Sequence, residues 1–590
     1  MVASDASSMP SARKLALIRA ARGLVAPLVV ALPGLFWVAD ATARASKTPL
    51  GRDQGIFQYV AWAILHGARD YRDVRDVNGP LTHLLHVVML LLGGGDEHRF
   101  RVLDLVATGA TFALAGACVA GFGARRRPRA VERLGWALAG WTVLSAQYLA
   151  FNYWDIAQRE SFFDWLMLSS VALQLVAQSP SHTRSPGLAL ARAPARHALL
   201  AIAGALSVAP WFGKPTYLLF TIAQLVALVL DDEATVPLRA RLRAFALGSV
   251  AGAAVPLLFL VVLGDPLAYA RIAFTDVPAM YRFIWPRSAR DVLSEPWYGA
   301  EAALAVAGCV VMLGLVFVRM LPRRAIAIAL VPMCAVCSVL AQGKSFPYHW
   351  HPVTAGIALQ WLALAAWLWE RPRGRHGRRG RGERAASARS FGRLVPFVAS
   401  AALGLRVASS MSDSPFIKAV WLASGADTPA SRATQEYFAR FPEPDWFPFE
   451  LRQTAAFLRE RTAPSDRVQV YGMDPYVLFL AERLSATPYI YAYDLDADVA
   501  LRGGTGGRPT DAQRARIVAI RDAHEADLRA RIERDPPAAF VFLGKSPLMT
   551  EDDAWDDFVA HCPDAARWVA AHYRQAAAFG DDRVWLRNLR

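Results

Sequence analysis

Eleven apolar runs, separated by short connections that alternate in Arg content, constrain this 590-residue chain more than any motif in it. They fall near 24–39, 102–122, 134–151, 161–178, 197–213, 216–230, 244–263, 299–318, 325–341, 353–369 and 391–408. Each is comparable with the ~20 residues that carry a helix across the hydrocarbon core of a bilayer. A hydrophobic share of 54% against 19% charged residues excludes a disordered or collagen-like chain, and five cysteines cannot staple a chain of this length. The expected fold class is mostly α: a polytopic membrane protein with about eleven transmembrane helices, followed by a soluble α/β domain.

The charge pattern tests that reading independently. Residues 1–409 carry 43 Lys/Arg and 23 Asp/Glu, whereas 410–590 carry 22 and 27. The basic residues cluster at the N-terminus (Arg13, Lys14, Arg19, Arg22) and at 124–133, 184–196, 239–243, 319–324 and 371–393, the last with nine Arg. The connections at 151–160, 213–215 and 342–352 hold one Lys or Arg each. Cytoplasmic loops are marked in this way, so the expectation is a multi-pass inner-membrane protein with its N-terminus cytoplasmic and its acidic C-terminal domain extracytoplasmic. Clustering between apolar runs also argues against nucleic acid as the partner of the basic residues. Pro80–Gly93 is short, carries His83 and His86 and breaks the alternation if it spans, so it is read as an interfacial or re-entrant helix on the outer face. The small-residue run at 41–46 resembles a signal-peptidase site; cleavage there leaves the side of the next segment unchanged.

Three units are expected: a membrane module over 1–409, a linker over 410–445 and an α/β domain over 446–590. In the last, 450–461 and 511–534 read as helices, and 467–471, 488–491, 538–543 and 583–586 as strands. The glycines at 503–507 are a loop, since no Gly-Lys-Ser/Thr follows to hold phosphate.

Ionisable groups near lipid are costly, so those gathered on the outer side are the functional candidates. Asp53 follows the first run and is also placed to cap a helix. Asp73 and Asp76 read as turn formers or partners of Arg72 and Arg75. Asp155, Arg159 and Glu160 fill the next outer loop, which Tyr153 and Trp154 suit as an aromatic belt. Lys214 stands alone between two apolar runs, where a lysine can simply snorkel. Lys344, Tyr348, His349 and His351 share one tight loop; histidines two apart do not share a helix face, so they suit an anionic phosphate better than zinc. Cys334 and Cys337 lie inside an apolar run without a second pair. Serine-hydrolase, zinc-protease, Walker and dinucleotide motifs do not occur.

Together these blocks resemble the GT-C membrane glycosyltransferases, as grouped in glycosyltransferase family 39 with protein O-mannosyltransferases and aminoarabinose and galacturonic acid transferases. The resemblance rests on Asp53 in the first outer loop, Tyr71-Arg-Asp73, Gly79-Pro-Leu81, and the blocks at 155–160, 213–215 and 343–349, and it spans most of 20–370. The family commonly has Lys-Pro-Pro-Leu where this chain has Asn78-Gly-Pro-Leu81. The resemblance implies a sugar donor carried on polyprenyl phosphate, a lipid, glycan or protein acceptor, and Asp53 as the catalytic acid-loop residue. On that chemistry Asp53 is the base for the acceptor hydroxyl, Asp155 or Glu160 serves the acceptor or a cation, and Arg159, Lys214, Lys344, Tyr348 and His349 meet the lipid phosphate. Relatives differ in metal dependence, which leaves room for a divalent metal. A transporter or lipid flippase is the rival reading, but the paired repeats common among transporters are missing.

Overall fold

The computed structural model describes residues 12–122, 128–151, 155–179, 193–234, 236–370, 384–413 and 448–588, apart from 550 and 552. The expected linker beyond Asp413, the aromatic pair Tyr153 and Trp154, and much of the Arg-rich sequence at 124–127, 184–192 and 371–383 lie outside the described residues.

Every one of the eleven apolar runs is helical: Ala12–Ala45, Glu97–Val119, Ala130–Leu149, Arg159–Ala177, Ala193–Val208, Leu218–Leu230, Leu238–Leu263, Pro296–Phe317, Ile326–Gln342, His351–Glu370 and Arg384–Asp413. Among the described residues, eight helices are long and apolar enough to cross a membrane. Ala130–Leu149, Arg159–Ala177 and the 13-residue Leu218–Leu230 are not in that set. The chain is a multi-pass membrane protein.

Helices in lipid gain little from hydrophobic burial and associate through close backbone packing at small residues. Gly204, Gly248 and Gly252 provide that contact between Ala193–Val208 and Leu238–Leu263: a Cβ on Gly248 would sit 1.7 Å from the Ala201 carbonyl oxygen. Gly116 and Gly140 do the same for Glu97–Val119 and Ala130–Leu149, whose backbones touch at 2.3–2.9 Å from the added Cβ positions. Leu247, Val250, Leu258 and Val261 stay exposed on the other side of Leu238–Leu263, as a lipid-facing surface requires.

Two short helices sit between this bundle and the C-terminal domain. Pro80–Gly93 begins with Pro at its first position and stops at Gly94, whose φ of 63° only glycine adopts without strain. It buries His83 and His86 and exposes Val88, Leu91 and Leu92, the two-sided character expected of a helix lying in an interface. Arg52–Leu65 is buried along almost its whole length.

The C-terminal domain is built on a five-stranded sheet of order β2-β1-β3-β5-β4. β1 (Arg467–Tyr471) pairs in parallel with β2 (Leu484–Ser485) and β3 (Ala539–Phe542), while β3, β5 (Asp582–Arg587) and β4 (Tyr573–Phe579) run antiparallel. The segment 488–491 is not a strand. Pro488 lacks the donor a ladder needs, its carbonyl accepts instead from the Arg75 amide at 3.0 Å, and Tyr491 turns towards the membrane module. β4 was not expected, because its Gln-Ala-Ala-Ala core lacks β-branched residues.

Ion pairs fasten this domain to the helices, those of Arg75 and Arg52 largely buried and that of Arg452 partly exposed. Arg75 binds Asp494 and Asp276 at 2.7 Å each, Arg52 binds Asp474 at 2.6 Å, and Arg452 binds Glu97 at 3.0 Å. Arg75 therefore pairs with these two rather than with Asp76, whereas Arg72 does pair with Asp73 at 2.8 Å.

Candidate active site

Gln54 organises the first half of the site. Its amide oxygen accepts from the Gly51 backbone amide at 2.6 Å and from Arg101 at 2.8 Å, and its amide nitrogen donates to the Ile156 carbonyl. The helix start is thus closed by Gln54, with Gly51 as the capping residue. Asp53 is not the cap. Its carboxylate faces a recess, and Gln54 ties that recess to the loop preceding Arg159.

The recess is a cavity of about 110 Å³ lined by Asp53, Asp76, Asn78, Arg159, Lys344 and Tyr348, with Tyr281 and Trp285 at its side and Tyr491 and Tyr493 brought in by the C-terminal domain. Tyr348 donates its hydroxyl hydrogen bond to Asp53. Burial pushes the Asp53 carboxyl above the ordinary aspartate value, and the charges of Arg159 and Arg52 oppose that rise. Lys344 lies over the Tyr281 ring at 4.5 Å and donates to the Tyr281 carbonyl at 2.8 Å and to the Ile284 carbonyl. Burial alone lowers it to about 7. Among the described residues no carboxylate lies in salt-bridge contact with it, so this cavity wall carries a lysine held by carbonyl oxygens and the Tyr281 ring.

Behind Arg159 sits a charge hub. Glu160, 1% exposed, accepts from Lys214, from Arg159 Nε at 3.1 Å, and lies 3.6 Å from His349 Nε2. Lys214 therefore does not snorkel; it is lowered to about 8 by burial, with Glu160 acting in the opposite sense. Glu160, Lys214 and His349 do not line the cavity, yet Glu160 holds Arg159, which does. His351 turns away and donates from Nε2 to the Asp155 carbonyl at 2.8 Å. Asp155 is buried near Tyr298 and apart from the cavity.

Sequence reasoning missed the role of Asp70. His83 donates from Nδ1 to Asp70 and from Nε2 to Asp76, both at 2.7 Å, inside the protein. Burial works against its charge, but the two carboxylates overcome this and push it up to about 10, so it is an imidazolium that fixes Asp76 at the cavity wall. The signal was present as two aspartates seven and thirteen residues before His83, but chain spacing alone does not bring them together.

Several residues here hold left-handed backbone: Tyr71 (φ 67°), Ala157 (55°), Trp285 (47°) and Ser345 (55°). Each costs about 1–3 kcal/mol for a non-glycine side chain. The last three immediately flank or line the cavity, so the strain is spent on placing Arg159, Lys344 and Trp285.

No family model matches the chain. In fold, the structure is similar to ArnT from Cupriavidus metallidurans bound to undecaprenyl phosphate, with a TM-score of 0.51 and 13% identity over 95% of this chain and 97% of that one. The apo form of the same protein gives a TM-score of 0.51 at 14% identity. In sequence, 85 residues are 29% identical to a dolichol phosphate-mannose mannosyltransferase of Haloferax volcanii. That match spans 14% of this chain and about a fifth of the relative, 19% of its length.

Proposed function

We propose that this chain is an integral membrane glycosyltransferase that moves a sugar from polyprenyl phosphate to a lipid, glycan or protein acceptor at the outer face of the inner membrane. The carrying observation is that the Asp53 carboxylate, Arg159 and Lys344 line one cavity. Support comes from the fold shared with a protein crystallised with undecaprenyl phosphate. On this reading all eleven helices span, the N-terminus is cytoplasmic, and the domain at 446–590 caps the site from outside, joined by the linker at 410–445.

Asp53 takes the proton of the acceptor hydroxyl as its oxygen attacks the anomeric carbon, and the bond from that carbon to the phosphate oxygen breaks on the opposite face, inverting the sugar. Negative charge then grows on the departing lipid phosphate. Arg159 and Lys344, fixed by Glu160 and by carbonyls before the reaction starts, stabilise it without reorganisation. Tyr281, Trp285, Tyr491 and Tyr493 give the sugar aromatic faces. Glu160, beside Lys214 and His349, acts by holding Arg159, and Asp155 has no direct part.

The test is binding of undecaprenyl phosphate to the purified protein. Lys344→Ala is expected to weaken it about tenfold or more, the loss of a charge-assisted contact, while Asp53→Asn leaves it within a few-fold. Equal binding by wild type and Lys344→Ala contradicts the phosphate role.

A further inference from the structure

Three potential metal ligands meet in the C-terminal domain, away from the cavity: Asp496, Asp498 and His561, with donor atoms all within 4.8 Å of one another. His561, at the end of the helix Ala554–His561, holds Nδ1 2.9 Å from the Asp557 backbone carbonyl. A carbonyl only accepts, so Nδ1 carries the hydrogen and the ring presents Nε2 to the other two residues. Nε2 lies 3.4 Å from Asp496 Oδ1 and 3.4 Å from Asp498 Oδ1. The Asp557 carboxylate is committed elsewhere, accepting from Tyr471 at 2.7 Å and from the Glu551 amide at 3.2 Å. The Asp496 side chain is 0% exposed, and its Oδ2 has no hydrogen-bond partner.

The same molecule shows what a protonated histidine between two aspartates looks like. His83 closes to 2.7 Å on both sides, one carboxylate per nitrogen. His561 instead turns a single nitrogen towards two carboxylates, and one N–H cannot serve both. A separation of 3.4 Å is outside the usual N–H···O range. It equals the edge of a regular tetrahedron whose centre lies about 2.1 Å from its corners, the length of bonds from zinc to nitrogen or oxygen.

We propose that Asp496, Asp498 and His561 bind a divalent transition metal of the zinc type. An imidazole whose far nitrogen donates to a backbone carbonyl, plus two carboxylates, is the donor set such ions select over magnesium. Asp498, its side chain 40% exposed, leaves an entry path and a position for water. The site clips the segment that follows Tyr491 and Tyr493, two cavity-lining residues, to the helix Ala554–His561. Its role is to hold that wall of the cavity, not to take part in chemistry.

The test uses the purified full-length protein, stripped with a chelator and titrated with Zn²⁺ against a competing indicator, with Mg²⁺ as control. One Zn²⁺ per chain is expected, with a rise in thermal midpoint, and no binding of Mg²⁺ at equal concentration. Asp496→Asn and Asp498→Asn are each expected to weaken Zn²⁺ binding about tenfold or more; Asp498, half-exposed, can be changed with the fold intact, as circular dichroism will verify. Wild type that retains no Zn²⁺, or a folded Asp498→Asn that binds it as wild type does, overturns the proposal.

Discussion

Asp53 and Lys344 titrate in opposite senses, and their combination sets a pH profile. As the proposed base, Asp53 must be ionised, and burial raises its carboxyl, so kcat/KM is expected to fall on acidification at a pH above the ordinary aspartate range. As the proposed phosphate contact, Lys344 must be charged, and burial lowers it to about 7, so kcat/KM is expected to fall again as pH rises through that value. A narrow bell results, and Lys344→Ala is expected to raise KM and abolish the alkaline limb. Bound phosphate restores the charge of the lysine, so the profile of kcat is expected to be broader on the alkaline side than that of kcat/KM. Glu160 acts differently, since it compensates buried cations. Glu160→Ala is expected to destabilise the protein by about 3–5 kcal/mol, the cost of leaving buried charge uncompensated. A thermal melt within a degree or two of wild type would contradict that role.

Helix pairing through glycine makes a sharp prediction of its own. Gly248→Val places side-chain atoms where the Ala201 carbonyl already lies, so Ala193–Val208 and Leu238–Leu263 must separate; the expected result is loss of the monodisperse detergent-solubilised protein in size-exclusion chromatography. Gly314, with nothing within 4 Å of an added Cβ, is the matching position at which substitution is expected to be silent. The elements were largely legible in the sequence because lipid imposes length and hydrophobicity on a helix. The misreadings share a cause. Whether 488–491 pairs, and whether the Ala-rich 573–579 becomes a strand, depends on neighbours remote in the chain, and local propensity carries no record of them. The same limit applied to the site: Asp53, Arg159 and Lys344 could be singled out as charges beside apolar runs, whereas the Asp70–His83–Asp76 chain and the hub at Glu160 exist only once the helices are assembled.

At the scale of the whole molecule, the cavity is shared property. Asp53, Arg159 and Lys344 come from the membrane module, and Tyr491 and Tyr493 from the C-terminal domain, whose Asp494 binds Arg75. Arg75→Ala is therefore expected to raise KM for the donor several-fold and lower the melting temperature, although Arg75 does not line the cavity; unchanged KM would mean that the domain stays seated without this contact. The central claim is sugar transfer with Asp53 as base. Its most direct measurement is mass spectrometry of polyprenyl-phosphate sugars and envelope glycans in cells expressing wild type, a deletion, or Asp53→Asn at equal level. The account predicts that Asp53→Asn matches the deletion, with one lipid-linked sugar accumulating and one glycan, lipid or protein lacking that sugar. Asp53→Asn cells indistinguishable from wild type, beside a deletion with a clear defect, would contradict it.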